Sequence, residues 1–87
     1  MSGNLKQELS EVAQWVELTV RLIVDHPDEV VLTEITGTHS NILELVVHRS
    51  DIGKVVGKRG VHADAIRRIM HAAGGARRKR YVLEIMD

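Results

Sequence analysis

Leu5, Leu9, Val12, Val16, Val20 and Ile23 recur at intervals of three and four, which lines one face of an α-helix with apolar side chains. Asn4 followed by Gln7 has the form of a capping box for that helix. Pro27 sets its limit, because the residue before a proline avoids the α region. Trp15, Leu18 and Leu22 make a second stripe roughly 100° around the same helix. That stripe either widens the core face or meets a partner, and the pattern leaves both readings open. Residues 30–36 are rich in β-branched side chains and read as a strand. Residues 37–41, Gly-Thr-His-Ser-Asn, have turn chemistry, and residues 42–48 form a second strand in an antiparallel hairpin with the first. Glu44 alone interrupts the apolar run of the second strand, which predicts a central position in the sheet under covering helices.

Ser50 is placed to cap a short helix that carries Ile52, Val55 and Val56. A longer helix runs from Val61 to about Ala73, with Ala65, Ile66, Ile69 and Ala73 on one face, and Gly74-Gly75 stops it. A last strand covers residues 81–86. Two helices between the second and third strands fit a crossover to a parallel neighbour. The expected fold is α+β in the order α-β-β-α-α-β, a three-stranded mixed sheet with helices packed on one face. One small domain fills residues 1–87, with a core over about 5–86.

Between the two later helices lies Gly57-Lys58-Arg59-Gly60. Glycines at both edges let the backbone turn sharply and approach a ligand closely. The following helix adds unpaired N–H groups and its positive dipole end. Together with two cations this describes a seat for phosphates. It is not a P-loop, because Lys58 is followed by Arg59 where Ser or Thr is needed. It is not a dinucleotide fingerprint either, because Val55 and Val56 stand where a further glycine would be required.

Charge sharpens this picture. The formal net charge is zero, yet residues 1–47 carry Lys6 and Arg21 against eight acidic side chains, and residues 48–80 carry ten basic ones against Asp51 and Asp64. Such segregation predicts an anionic partner at one end of the molecule. The run Arg77-Arg78-Lys79-Arg80 is either a solvated turn or a backbone contact. There is no cysteine, no apolar run approaches the roughly 18 residues of a membrane span, and no signal-peptide core opens the chain. The expectation is a cytoplasmic protein without membrane contact. His26, His39, His48, His62 and His71 show no paired helical spacing, so no metal site and no cofactor is expected. No nucleophile–base pair can be placed, which speaks against an enzyme. One Trp, one Tyr and no Phe argue against the aromatic stacking platforms of RRM and many OB domains.

The string V-V-G-K-R-G at 55–60 between two helices resembles the KH domain, whose signature is an aliphatic pair followed by G-x-x-G. Ala63 departs from the large aliphatic often found three residues after the second glycine, and Ile66 is placed to fill that space. The element order is similar to the type II KH fold of prokaryotic proteins. V-D-H-P-D-E-V at 24–30 and V-L-E-I at 82–85 resemble the small bacterial KhpA-type proteins, stand-alone KH domains regarded as RNA-binding proteins and RNA chaperones. The resemblance implies single-stranded RNA binding, with an RNA chaperone or post-transcriptional regulator role. Gly57, Lys58, Arg59 and Gly60 would hold phosphates. Lys54, His62 and Arg67 would add charge or hydrogen bonds at the rim. Val55, Val56 and Ala63, with part of the central strand, would form an apolar floor under about four bases. So small a footprint implies a homodimer, or a heterodimer with another RNA-binding protein. The alternative is a protein-interaction scaffold with a degenerate KH fold.

Overall fold

The computed structural model describes residues 8–87, so the predicted capping box at Asn4 and Gln7, and Leu5 of the apolar stripe, lie outside the described residues. Helix α1 spans Glu11–Ile23 and is capped by Ser10, whose Oγ accepts the Ala13 N–H at 3.2 Å. Strands β1 (Val31–Thr36) and β2 (Ser40–Val46) follow, then α2 (Ile52–Val56), α3 (Val61–Arg77) and β3 (Arg80–Ile85). Short 3-10 turns occupy Pro27–Glu29, Arg49–Asp51 and Lys58–Gly60. The sheet order is β1-β2-β3, with β1 antiparallel and β3 parallel to β2. The expected α-β-β-α-α-β order with a mixed sheet is the observed one.

Val12, Ala13, Val16 and Val20 of α1 pack with Leu32, Leu43, Leu45 and Leu83 of the sheet and with Val55, Ile66 and Met70. Trp15, Leu18 and Leu22 lie outside this core, at 36%, 59% and 78% exposure, so the second stripe faces solvent. Strand β2 is central, as its composition predicts, but helices cover only one of its faces. Asn41, Leu43 and Leu45 are buried, whereas Ile42 and Glu44 are half-buried and Val46 is exposed. Val31 and Ile35 continue this open face on β1. The hairpin is tighter than the sequence suggests, because the Gly37 N–H donates to the Ser40 carbonyl and leaves only Thr38 and His39 at the tip.

Two carboxylates tie the helices to the sheet and its connections. Glu34 of β1 accepts the Ser10 N–H and Oγ–H, each at 2.8 Å, and the Asn41 amide at 2.6 Å. Burial pushes its carboxyl up, but these bonds outweigh burial and hold it below its ordinary value. Asp51 is fully buried and accepts the Asp25 and His26 N–H groups at 3.1 and 3.0 Å. Here too burial acts upward, and the bonds from Asp25 and His26 leave the carboxyl below its ordinary value. Helix α1 stops before Pro27, at Ile23, with Val24 already extended. Ser50 is not the cap of α2. The His48 ring accepts the Ser50 N–H and opens the turn that leads into the helix.

Helix α3 also differs from expectation. Its buried face is Ala63, Ile66, Met70 and Gly74, while Ala65 and Ile69 face solvent. Gly74-Gly75 does not stop it. The helix runs on to Arg77 and ends at Arg78 in the left-handed conformation. Gly74 is small for another reason: a Cβ there would collide with the Lys79 carbonyl oxygen and crowd the Tyr81 ring.

Candidate nucleic-acid interface

Helix α2 ends at Gly57, whose N–H donates to the Gly53 carbonyl at 2.8 Å. Gly57 and Gly60 have φ of 79° and 78°, in the half of backbone space that a side chain disfavours. Arg59 between them is also left-handed, at φ 59° and ψ 25°, without the freedom of a glycine. The Gly60 N–H closes the turn on the Gly57 carbonyl at 3.0 Å. This geometry lifts Lys58 and Arg59 onto the surface just ahead of the first turn of α3. Among the described residues neither cation is paired with a carboxylate. With Val61 and Asp64 they border a shallow open cleft.

His62 has a different place from the rim. Its Nδ1 lies 2.7 Å from the Lys54 carbonyl, and since a carbonyl only accepts, Nδ1 carries the proton. The ring lies against Gly57, where a Cβ would overlap it. His62 therefore fastens the end of α2 to the start of α3 and leaves Nε2 as its remaining polar atom.

Lys54 bonds Asp25 across 2.9 Å, and that bond raises its pKa. Its charge is largely engaged in holding the connection after α1. Arg67 reaches from α3 to β3 and donates to the Leu83 carbonyl at 3.1 Å, satisfying an acceptor of the edge strand. Val55 and Ala63 are buried and lie beneath the surface, supporting it rather than forming a floor that a base could touch. Val56 is half-buried.

Beyond the loop, α3 and the outer edge of β3 enclose an open groove of about 480 Å³, bordered by Arg67, Arg68 and His71 on one side and residues 80–83 on the other. Arg68 is partly neutralised by Asp64 at 3.1 Å. Sequence reasoning missed this β3 wall. The one signal for it was Tyr81, the only tyrosine of the chain, at the start of the last strand. The charge segregation of the sequence is partly mixed by folding. Arg77 pairs with Glu11 at 2.9 Å and Lys54 with Asp25, while among the described residues Arg78 and Arg80 remain without a carboxylate partner.

Two helices joined by a glycine-bracketed cationic loop, set between parallel strands of a mixed sheet, define a type II KH domain. The KH-domain model of the KhpA/KhpB family matches residues 13–85, and the chain belongs to that family. It is 48% identical over 73 residues to an RNA-binding protein KhpA of Clostridium acetobutylicum, covering 84% of this chain and 97% of the relative. It is 42% identical over 81 residues to the Borreliella burgdorferi protein of that name, covering 93% and 99%. The Aquifex aeolicus protein of that name is 43% identical over 79 residues, covering 91% and 100%. No solved structure matches the chain significantly. The family is one of binding proteins and not of enzymes. Among the described residues no helix is long and apolar enough to cross a membrane.

Proposed function

We propose that the chain is a single-stranded RNA-binding protein that grips the RNA backbone with Gly57-Lys58-Arg59-Gly60 and acts as an RNA chaperone or post-transcriptional regulator. The observation that carries this reading is the loop itself: two cations that have no acidic partner among the described residues, on a backbone held in an unusual conformation, ahead of a helix N-terminus. The names of the relatives, which call them RNA-binding proteins, support RNA as the ligand. Phosphates sit against the loop N–H groups, Lys58 and Arg59. The strand then runs along the α3–β3 groove past Arg67, with Val56 offering apolar contact beside the loop. His62 holds the loop in shape. Because the groove suits splayed bases, unstructured RNA should bind more tightly than a duplex of equal length. Gel-shift titrations of matched single- and double-stranded RNA test this, and equal or tighter binding of the duplex overturns the groove assignment.

A single such module contacts few nucleotides, so useful affinity calls for a second copy or a second RNA-binding protein. The exposed stripe Trp15, Leu18 and Leu22 supports α1 as the contact face. The same stripe would serve a pure scaffold. Lys58 and Arg59 speak against that reading, since a loop that had lost RNA has no use for two exposed cations.

A further inference from the structure

Folding brings together two histidines that are far apart in the sequence. The rings of His26 and His48 stack at a centroid distance of 4.0 Å with planes 15° apart. One potential ligand atom from each ring and one from Glu29 all lie within 4.8 Å of one another. His26 comes from the connection between α1 and β1, and His48 from the connection between β2 and α2.

The surroundings of His26 are those of a metal ligand. Its Nδ1 is 3.0 Å from the Asp51 carboxylate, which is fully buried and also held by two backbone N–H groups. The carboxylate accepts, so Nδ1 donates and Nε2 is left with a free lone pair. An imidazole oriented by a buried carboxylate is the usual outer-shell support of a metal-binding histidine. His48 Nδ1 is 2.8 Å from Ser50 Oγ and 3.1 Å from the Ser50 N–H. When Nδ1–H donates to that hydroxyl, the Nε2 of His48 is free as well, at the expense of the weaker backbone bond. The Glu29 and Asp51 carboxylates face His26, while the neighbouring Asp25 is paired with Lys54.

We propose that His26, Glu29 and His48 form a binding site for a divalent cation of the zinc class. Two imidazoles and one carboxylate are a donor set that zinc accepts, with a fourth position open to water or to an oxygen of a bound molecule. Zinc bonds of about 2.0–2.1 Å place tetrahedral ligand atoms roughly 3.3 Å apart, so small side-chain rotations that unstack the rings close the site. The ion fastens the connection after α1 to the connection that leads into α2, and therefore to the base of the glycine loop. The site is separate from the RNA groove and does not depend on the RNA reading.

Calorimetric titration of zinc chloride into the full chain tests the proposal. The site predicts one ion per chain, a thermal midpoint that rises with zinc concentration, and at least tenfold weaker binding in both Glu29→Gln and His48→Asn. Asn at 48 keeps an acceptor for the Ser50 N–H, so the turn is retained. Glu29 is exposed, and its variant decides the matter alone should the other not fold. His39→Ala, at the exposed tip of the hairpin between β1 and β2, leaves zinc binding unchanged. Absence of stoichiometric binding, or equal zinc affinity in Glu29→Gln, overturns the site.

Discussion

At the scale of single residues, the glycine loop places strain and charge on the same side chain. Arg59 occupies left-handed backbone, a conformation that costs a non-glycine residue about 1–2 kcal/mol. Glycine would relieve that strain and surrender about 0.5–1 kcal/mol of chain entropy. Arg59→Gly should therefore leave stability unchanged or raise it by up to about 1.5 kcal/mol, while RNA affinity falls. Loss of one phosphate contact should also make the salt dependence of binding shallower, by about 0.7 in the logarithmic slope. Denaturant melts beside salt titrations read both quantities. A destabilised variant with full RNA affinity would show that Arg59 serves the fold and not the ligand. The sequence identified both cations of this loop, because they stand between its glycines. It did not identify the left-handed backbone of Arg59, which is a property of the folded loop between its two glycines.

At the scale of elements, glycine marked a boundary correctly at Gly57 and misleadingly at Gly74. Both are required for space, and Gly57 also for its positive φ, but the group that needs the space differs. At Gly57 it is the His62 ring, and at Gly74 it is the strand arriving after the helix has ended. Gly74→Ala should destabilise the chain by about 1–3 kcal/mol, since the new methyl meets backbone that cannot turn aside. Chemical denaturation measures this, and a neutral result would mean that α3 and β3 can separate without cost. The buried stripe of α3 was read correctly at Ile66 and Ala73 and wrongly at Ala65 and Ile69, for a related reason. Ala65 and Ile69 fit a helical spacing as well as Ala63 and Met70 do, and only the position of the sheet selects between them. The apolar run of β2 was also ambiguous. Val46 and Ile42 are compatible with a covered face or an open one, and the helices of this small domain suffice for one. Periodicity showed the elements and their order, and long-range contacts decided which faces they bury.

At the scale of the whole molecule, the loop with its groove and helix α1 present two surfaces of different character. The loop and groove present Lys58, Arg59, Arg67 and Arg80, whereas α1 turns Trp15, Leu18 and Leu22 outward. Leu18→Glu, at an exposed position, should change folding stability by no more than about 0.5 kcal/mol. It should weaken self-association or pairing with a partner protein, and with it the affinity for long RNA. A very short oligonucleotide that only one module can hold should bind as before. Sedimentation over micromolar concentrations checks the association. A strict monomer with unaltered binding to long RNA would assign the stripe no role in RNA affinity.

The central claim is that two loop cations hold the RNA backbone, and one double variant tests it most directly. Lys58→Asp combined with Arg59→Asp reverses both charges at exposed positions. Fluorescence anisotropy with a labelled single-stranded RNA, run beside a thermal melt of the same preparation, gives the answer. The account predicts that RNA binding is lost while the melting midpoint stays nearly unchanged. A folded double variant that binds the RNA as tightly as the original chain would contradict it.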